Sequence, residues 1–407
     1  MRKHRWLRAA AAALLLGSAG ASHALATRAS SPPAPAGPAG AAAGMLPRAR
    51  LRVAVLPFTL RGAPPEAWPA VAEALAAVLP RRGLELVDRV SVVEQLRRGR
   101  LRDTSLLTRR EMAALAAALG ADRLLLGAIY RFDGGETPAV SLSGRLIDPS
   151  HLGVEAMTFT VLEGRTLLGP LGTGGPVTRE RTLEVAARRF AVALVPTRAG
   201  MAALERDDLL KSSLLAPSPA AFMSARLPAR GIRSIIVLPF RNNTRHPAAG
   251  QAAADLTSWC LLTSSRLALF DAGDATRRLL ERGWRTGMPV GRAEVVSLGL
   301  DPAADAILMG SVERWEEGAA AERPPEIAFS MRLLDARSGD ILWATEHERR
   351  GDQARLLYEA GNVRLAEALM ARAAFEALEP LLRALAEGAT AAAEPHGAPA
   401  AGEGEKP

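Results

Sequence analysis

The chain is predicted to be α/β, with two tandem α/β sandwich domains, each a mixed sheet packed with helices. Three observations predict this. The phrase VAVLPF at 53–58 returns as IIVLPF at 235–240, an offset of 182 residues. GADRLLLGAIYRF at 120–132 is matched by AADAILMGSVERW at 303–315, an offset of 183, and SGRLID ending at Asp148 by SMRLLD ending at Asp335, an offset of 187. Order is kept while the offsets drift, as in a duplication with loop insertions, and missing a repeat would misassign the whole fold. Within each half, short apolar runs alternate with amphipathic stretches, the pattern of strands interleaved with helices.

The elements follow in order. VAVLPF and IIVLPF are strands in which Pro57 and Pro239 are expected to end pairing, because proline has no amide hydrogen to donate. Phe58 and Phe240 should then lie beneath the following loop, against the first helix of each half. That helix is EAWPAVAEALAAVLPRRG in one half and AAGQAAADLTSWCLLTSS in the other. Short strands follow, LELVD and LALFD, then two helical segments per half, one of them opened by Thr108 with Glu111 three residues on, a capping box. DRLLLGAIYRF and DAILMGSVERW suit strands buried on both faces, with Gly127 and Gly310 allowing a close approach. AVSLSGRLID and EIAFSMRLLD alternate like strands with one wet face, and DARSGD joins the second of them to ILWATEHE as a hairpin. Each half ends in a helix.

The boundaries come from composition. Residues 1–26 carry Arg2, Lys3, Arg5 and Arg8, then an apolar stretch and a small-x-small ALA at 24–26, which reads as a cleavable secretory signal. The apolar stretch is shorter than the roughly 20 residues of a bilayer span. Residues 27–49 are Pro, Ala and Gly with few large apolar side chains, a flexible tether. The first domain is then 50–200, an interdomain linker 201–230, the second domain 231–386, and a disordered tail 387–407. The domains are expected to have separate cores.

Charge and chemistry narrow the function classes. Of a formal net charge of +8, four positive charges belong to the signal and +4 remain after cleavage, so nucleic acid is not an expected partner. Cys260 is the only cysteine, which excludes an intramolecular disulfide and a cysteine metal cluster, and no cysteine near the signal offers an N-terminal lipid anchor. No pair of the six histidines has the i, i+4 spacing of a helical metal site. The Gly-rich stretch at 169–180 lacks the Lys-Ser/Thr of a phosphate loop, and no G-x-S-x-G elbow occurs. Asp122, Asp148, Asp305 and Asp335 recur at matched positions, where each is expected to cap a strand end or turn. No catalytic, cofactor-binding or metal-binding residue is assigned, and the chain is not expected to be an enzyme.

The landmarks VAVLPF, LELVDR, VEQL, LGADRLLLGAI and RLID, repeated as IIVLPFRNNT, FDAGD, LGLDPAADAILMGSV and RLLDARSGDILWA, resemble those of the curli-secretion lipoprotein family, the CsgG-like domain. The resemblance covers roughly 51–195 and 231–383. The same α/β unit is similar to the lipoprotein activator of penicillin-binding proteins and to the N-terminal domain of the Tol-system propeller protein. It implies domains that bind or assemble: an exported, periplasmic or outer-membrane-associated assembly or regulatory adaptor, contacting other cell-envelope proteins and free to form a homo-oligomer. Two alternatives stay open. A curli-type secretion-channel subunit would need long barrel hairpins, and VEAMTFTVLEG at 154–164 is the only suitable alternating run, expected to lie outside the core. A periplasmic hydrolase would need Asp148, His151 and a further polar group in one cleft. Partner contact is expected on the loop after IIVLPF, through Arg241, Asn242, Asn243 and Arg245, because loops on a rigid sheet carry recognition.

Overall fold

The structure, a computed structural model, describes residues 50–168, 177–195, 219–285, 288, 290–297, 304–318, 323–353 and 362–393. The signal, the tether, most of the interdomain linker, the Gly-rich stretch up to 176 and the end of the tail lie outside the described residues.

Two mixed sheets share one strand order. In the first half, β1 (Leu51–Val55) lies between β3 (Leu84–Leu86) and β4 (Arg123–Asp133), parallel to both. β5 (Ala139–Ile147) and β6 (Val154–Glu163) continue the sheet antiparallel. In the second half, β8 (Ser234–Val237) lies parallel between β10 (Ala268–Phe270) and β11 (Ala306–Glu316), followed by antiparallel β12 (Glu326–Asp335) and β13 (Ile341–Arg350). The segment expected as linker supplies a further edge strand, β7 (Ala220–Met223), on β13. The run VEAMTFTVLEG is β6 itself, paired along β5, so it belongs to the fold sheet and not to a free hairpin.

The prolines interrupt pairing without ending it. Pairing resumes at β2 (Thr59–Leu60) beside Ala128 and Ile129, and at β9 (Arg241–Asn242) beside Ser311 and Val312. Each interruption turns the phenylalanine inward: Phe58 and Phe240 are buried, and Phe58 stacks on Trp68 of the first helix with ring centroids 5.2 Å apart. The recurring glycines explain the recurring phrase. A Cβ built at Gly127 would strike the Phe58 ring, and one at Gly310 the Phe240 ring, while the carbonyl oxygens of Ser143 and Ser330 close the other side. Gly310→Ala is therefore expected to lower stability by about 1 to 3 kcal/mol through overpacking, read from the urea midpoint.

The helices are α1 (Ala67–Val78), α2 (Arg89–Arg98), α3 (Arg109–Leu119) and α4 (Arg179–Leu194) in the first half, and α5 (Ala249–Ser264), α6 (Gly273–Glu281), α7 (Arg292–Ser297) and α8 (Ala366–Ala393) in the second. The capping box at α3 forms: Thr108 Oγ1 accepts from the Glu111 amide, and Glu111 Oε2 accepts from the Thr108 amide at 2.8 Å. The last helix runs through Ala393, into the segment expected as tail.

Sheet faces decide where the cores lie. α1 and α4 cover one face of the first sheet, burying Leu75, Leu125, Leu142 and Phe190. α5 and α8 cover one face of the second sheet, around Val237, Leu308, Phe329 and Trp343. That same cluster continues without a break into the first half through Tyr130, Met157 and Phe159. The expectation of separate cores is corrected here: the described residues of both halves form one compact unit, and α5 lies between the halves. The cause is visible in the helices. α1 buries one stripe, whereas α5 buries every residue from Ala249 to Leu261 except the partly exposed Gln251, as a helix covered on both sides must.

Candidate functional site: the polar cleft between the halves

Three side chains from the first sheet meet two carboxylates of the second half. Asp255, on α5, accepts at Oδ2 from Tyr130 Oη and from Ser143 Oγ, both at 2.7 Å, and at Oδ1 from Gln251 Nε2 at 2.9 Å. Arg145 of β5 pairs through Nε with Asp271, whose other oxygen accepts from the Gly273 amide at the start of α6. Both carboxylates are buried. Burial raises the Tyr130 phenol well above its ordinary range, reinforced by the Asp255 charge, so the ring donates as a neutral hydroxyl. Burial opposes the charge on Arg145, but Asp271 and Asp255 outweigh it and hold the guanidinium more firmly protonated than usual.

Backbone and surface contacts extend this seam. Gly153, beside β6, forms an isolated antiparallel bridge with Phe270, and the Asp271 amide donates to Leu152 O at 3.0 Å. Arg277 Nη1 reaches Glu111 at 2.9 Å, and Arg131 Nε reaches the buried Glu367 of α8 at 3.0 Å. A cleft of about 220 Å³ opens along the seam, lined by Arg61, Asp103, Ser105, Arg145, Gln251 and Asp271. Arg61 Nη2 donates to Ser105 Oγ at 3.2 Å, leaving its Nε buried without an acceptor. Most polar groups of the cleft are engaged with one another, an arrangement that holds two bodies together and leaves no paired acid and base aimed at open space.

The residues singled out from sequence fall elsewhere. Asn242 Oδ1 accepts from the Thr244 amide and hydroxyl, and its Nδ2 donates to His246 O at 2.7 Å, while Asn243 Nδ2 donates to Glu313 at 2.8 Å. Asn242 therefore builds the turn and Asn243 ties it to β11, and of the four donors expected to face a partner only Arg241 and Arg245 stay exposed without a described side-chain bond. The matched aspartates cap as expected. Asp305 Oδ2 accepts from the Arg233 and Ser234 amides, and Asp335 Oδ1 accepts from the Arg337 and Ser338 amides. Asp148 and His151 are 3.6 Å apart, but Asp148 also meets Arg123 and the Ser150 amide, and His151 is more than half exposed. Neither lines the cleft, so the condition set for a hydrolase is not met there.

Cys260 is fully buried and its thiol is pushed up to about 12 by burial, an inert sulfur. A second buried polar set, His347 and Arg349 of β13 at 3.0 and 3.2 Å from Glu376 Oε2 of α8, joins sheet to helix inside the second half. Among the described residues no group of His, Cys, Asp and Glu is arranged to hold a metal ion, and no helix is long and apolar enough to cross a membrane.

Fold and cleft together define a two-sheet α/β protein whose charged interior groups face each other across an internal seam. No family model and no curated protein matches the chain. Among solved structures it is similar to the PelC dodecamer from Paraburkholderia phytofirmans, at 18% identity over 40% of this chain and 96% of that one, with a TM-score of 0.29. It is also similar to the lipoprotein GNA1162 from Neisseria meningitidis, at 20% identity over 29% of this chain and 80% of that one, TM-score 0.24. The C-terminal domain of LpoB from Escherichia coli matches at 18% identity over 29% of this chain and 84% of that one, TM-score 0.22.

Proposed function

We propose that the protein is an exported, non-enzymatic adaptor of the cell envelope, built from two CsgG-like copies and acting through contacts with other envelope proteins. The observation that carries this reading is the internal seam. Asp255 and Asp271 are each engaged by donors from the opposite half, so the buried charge serves assembly of the chain and not turnover of a substrate. The sequence contributes the signal-like leader at 1–26, from which the periplasmic or outer-membrane-associated location follows. The channel alternative loses support because its candidate strand is β6, held in the sheet against β5.

Recognition is assigned to the loop after β8. Asn242 shapes the turn and Asn243 is engaged by Glu313, which leaves Arg241 and Arg245 as the exposed donors for a partner's carboxylates or carbonyls. Replacing both arginines with Ser while retaining Asn242 and Asn243 is expected to remove at least one protein from pull-downs of envelope extract, with the melting temperature unchanged. An unchanged partner set from a folded variant would remove this loop from the reading.

A further inference from the structure

The turn that closes α2 has a counterpart in the second half, and the two differ at one place. There α6 runs out through Leu279, Leu280, Glu281, Arg282, Gly283 and Trp284, and the amides of Gly283 and Trp284 donate to Leu280 O and Leu279 O, both at 3.0 Å. In the first half α2 runs out through Leu96, Arg97, Arg98, Gly99, Arg100 and Leu101, and the amides of Arg100 and Leu101 donate to Arg97 O at 3.0 Å and Leu96 O at 2.9 Å. The turn is the same at an offset of 183 residues, the step that relates GADRLLLGAIYRF to AADAILMGSVERW. Its left-handed position is held by Gly283 at φ +85°, as expected where only glycine enters without a steric cost. The first half transposes the pair. Gly99 stands at φ −76°, open to any residue, and Arg100 takes the left-handed position at φ +53°.

An arginine held where glycine is favoured points to a use for its side chain. Cations in the last turn complement the helix dipole, but Arg97 and Arg98 already supply them. Arg97, Arg100 and Arg102 are exposed, and none of the three makes a described side-chain bond. Arg98 pairs with Glu94, and the exposed Asp103 accepts from the Ser105 amide and hydroxyl. None of the three unpaired arginines lines a described cleft, so no wall encloses a small anion against them. Guanidinium groups gathered on one exposed turn are complementary to an extended anionic surface, which they meet together without a preformed fit.

We propose that the turn from Arg97 to Arg102 docks the protein on an anionic phospholipid surface. The three guanidinium groups contact lipid phosphates, and the body of the protein stays outside the bilayer. From the adaptor reading the proposal takes only the exported compartment, and it concerns another surface than the loop after β8.

Co-sedimentation with vesicles tests it, using the chain from residue 27, the form expected after export, because the four basic residues of the leader would bind the same vesicles. Binding to equimolar phosphatidylglycerol and phosphatidylcholine is expected to exceed binding to phosphatidylcholine alone, and to be lost at high salt, where surface charge is screened. The triple variant Arg97→Ser/Arg100→Gly/Arg102→Ser is expected to weaken it by about fivefold for each arginine removed. Arg100→Gly alone separates recognition from folding: it is expected to raise the melting temperature while weakening binding about fivefold. Equal affinity for phosphatidylcholine vesicles, or undiminished binding by the folded triple variant, would overturn the proposal. So would a lower melting temperature in Arg100→Gly, since the arginine would then hold its place for stability. A soluble polyglutamate that binds the parent as tightly as the vesicles do, and loses the triple variant, would assign the turn to an acidic protein instead and overturn it as well.

Discussion

Residues 50–200, expressed without the second half, are expected to aggregate or to remain unfolded. The first sheet buries one face under its own α1 and α4, but the other face carries Tyr130, Met157 and Phe159 into the cluster built around α5. Removing the second half would expose the stacked pair of Tyr130 and Phe159, whose ring centroids lie 5.3 Å apart, in a contiguous apolar patch. Residues 231–386 alone are expected to fare little better, because α5 would present its first-half side, with Asp255 stripped of Tyr130 and Ser143. Near-ultraviolet circular dichroism and gel filtration of each fragment provide the check. A monomeric fragment with fixed aromatic signals and a cooperative melt would show that the halves fold independently.

The second sheet does not repeat this demand. Glu313 stands where the first half has Tyr130, Glu346 where it has Phe159, and Glu348 where it has Val161, and all three glutamates are exposed. Arg314 pairs there with Glu348, and Arg350 with Glu326, on the open surface. The outer side of α1 likewise carries an exposed Glu73 where α5 carries the buried Asp255.

Asp271→Ala is expected to destabilise the whole chain by about 3 to 5 kcal/mol, because it leaves the Arg145 guanidinium buried without its principal partner. Arg145 side-chain exposure is only 14%, so water from the adjoining cleft replaces the carboxylate poorly. The matched control is Arg332, which occupies the corresponding position of β12 and is exposed. Arg332→Ala is expected to stay within about 0.5 kcal/mol of the parent. Urea titrations of both variants, with unchanged slope, give the comparison. Equal, small effects would mean that the seam is not a source of stability.

Much of each half was legible in the sequence because local patterns carry it. The repeated VLPF phrase, the Thr108–Glu111 capping box and the turn at Asp335 each have a short-range cause, while the glycine of the following central strand is visible as a motif although the phenylalanine that requires it is distant in the chain. What escaped was everything set by the other half. Arg145 and Arg332 are the same residue at matched positions, and the opposing half leaves one mostly covered and the other exposed. Asp255 lies inside AAGQAAADLTSWCLL, a stretch whose pattern predicts an amphipathic helix. Its apolar residues in fact run round the whole helix, a signal of burial on all sides. Composition reads the asparagines of the loop after β8 as free donors because it records neither the turn bonds of Asn242, to residues two and four positions away, nor the bond of Asn243 to the distant Glu313.

Scanning calorimetry of the full chain, parent beside Asp271→Ala, tests the central claim that the two sheets fold as one body around the seam. A single transition is expected, with calorimetric and van't Hoff enthalpies equal, moving as a whole to lower temperature in the variant. Two separate transitions in the parent, with Asp271→Ala displacing only one of them, would contradict it.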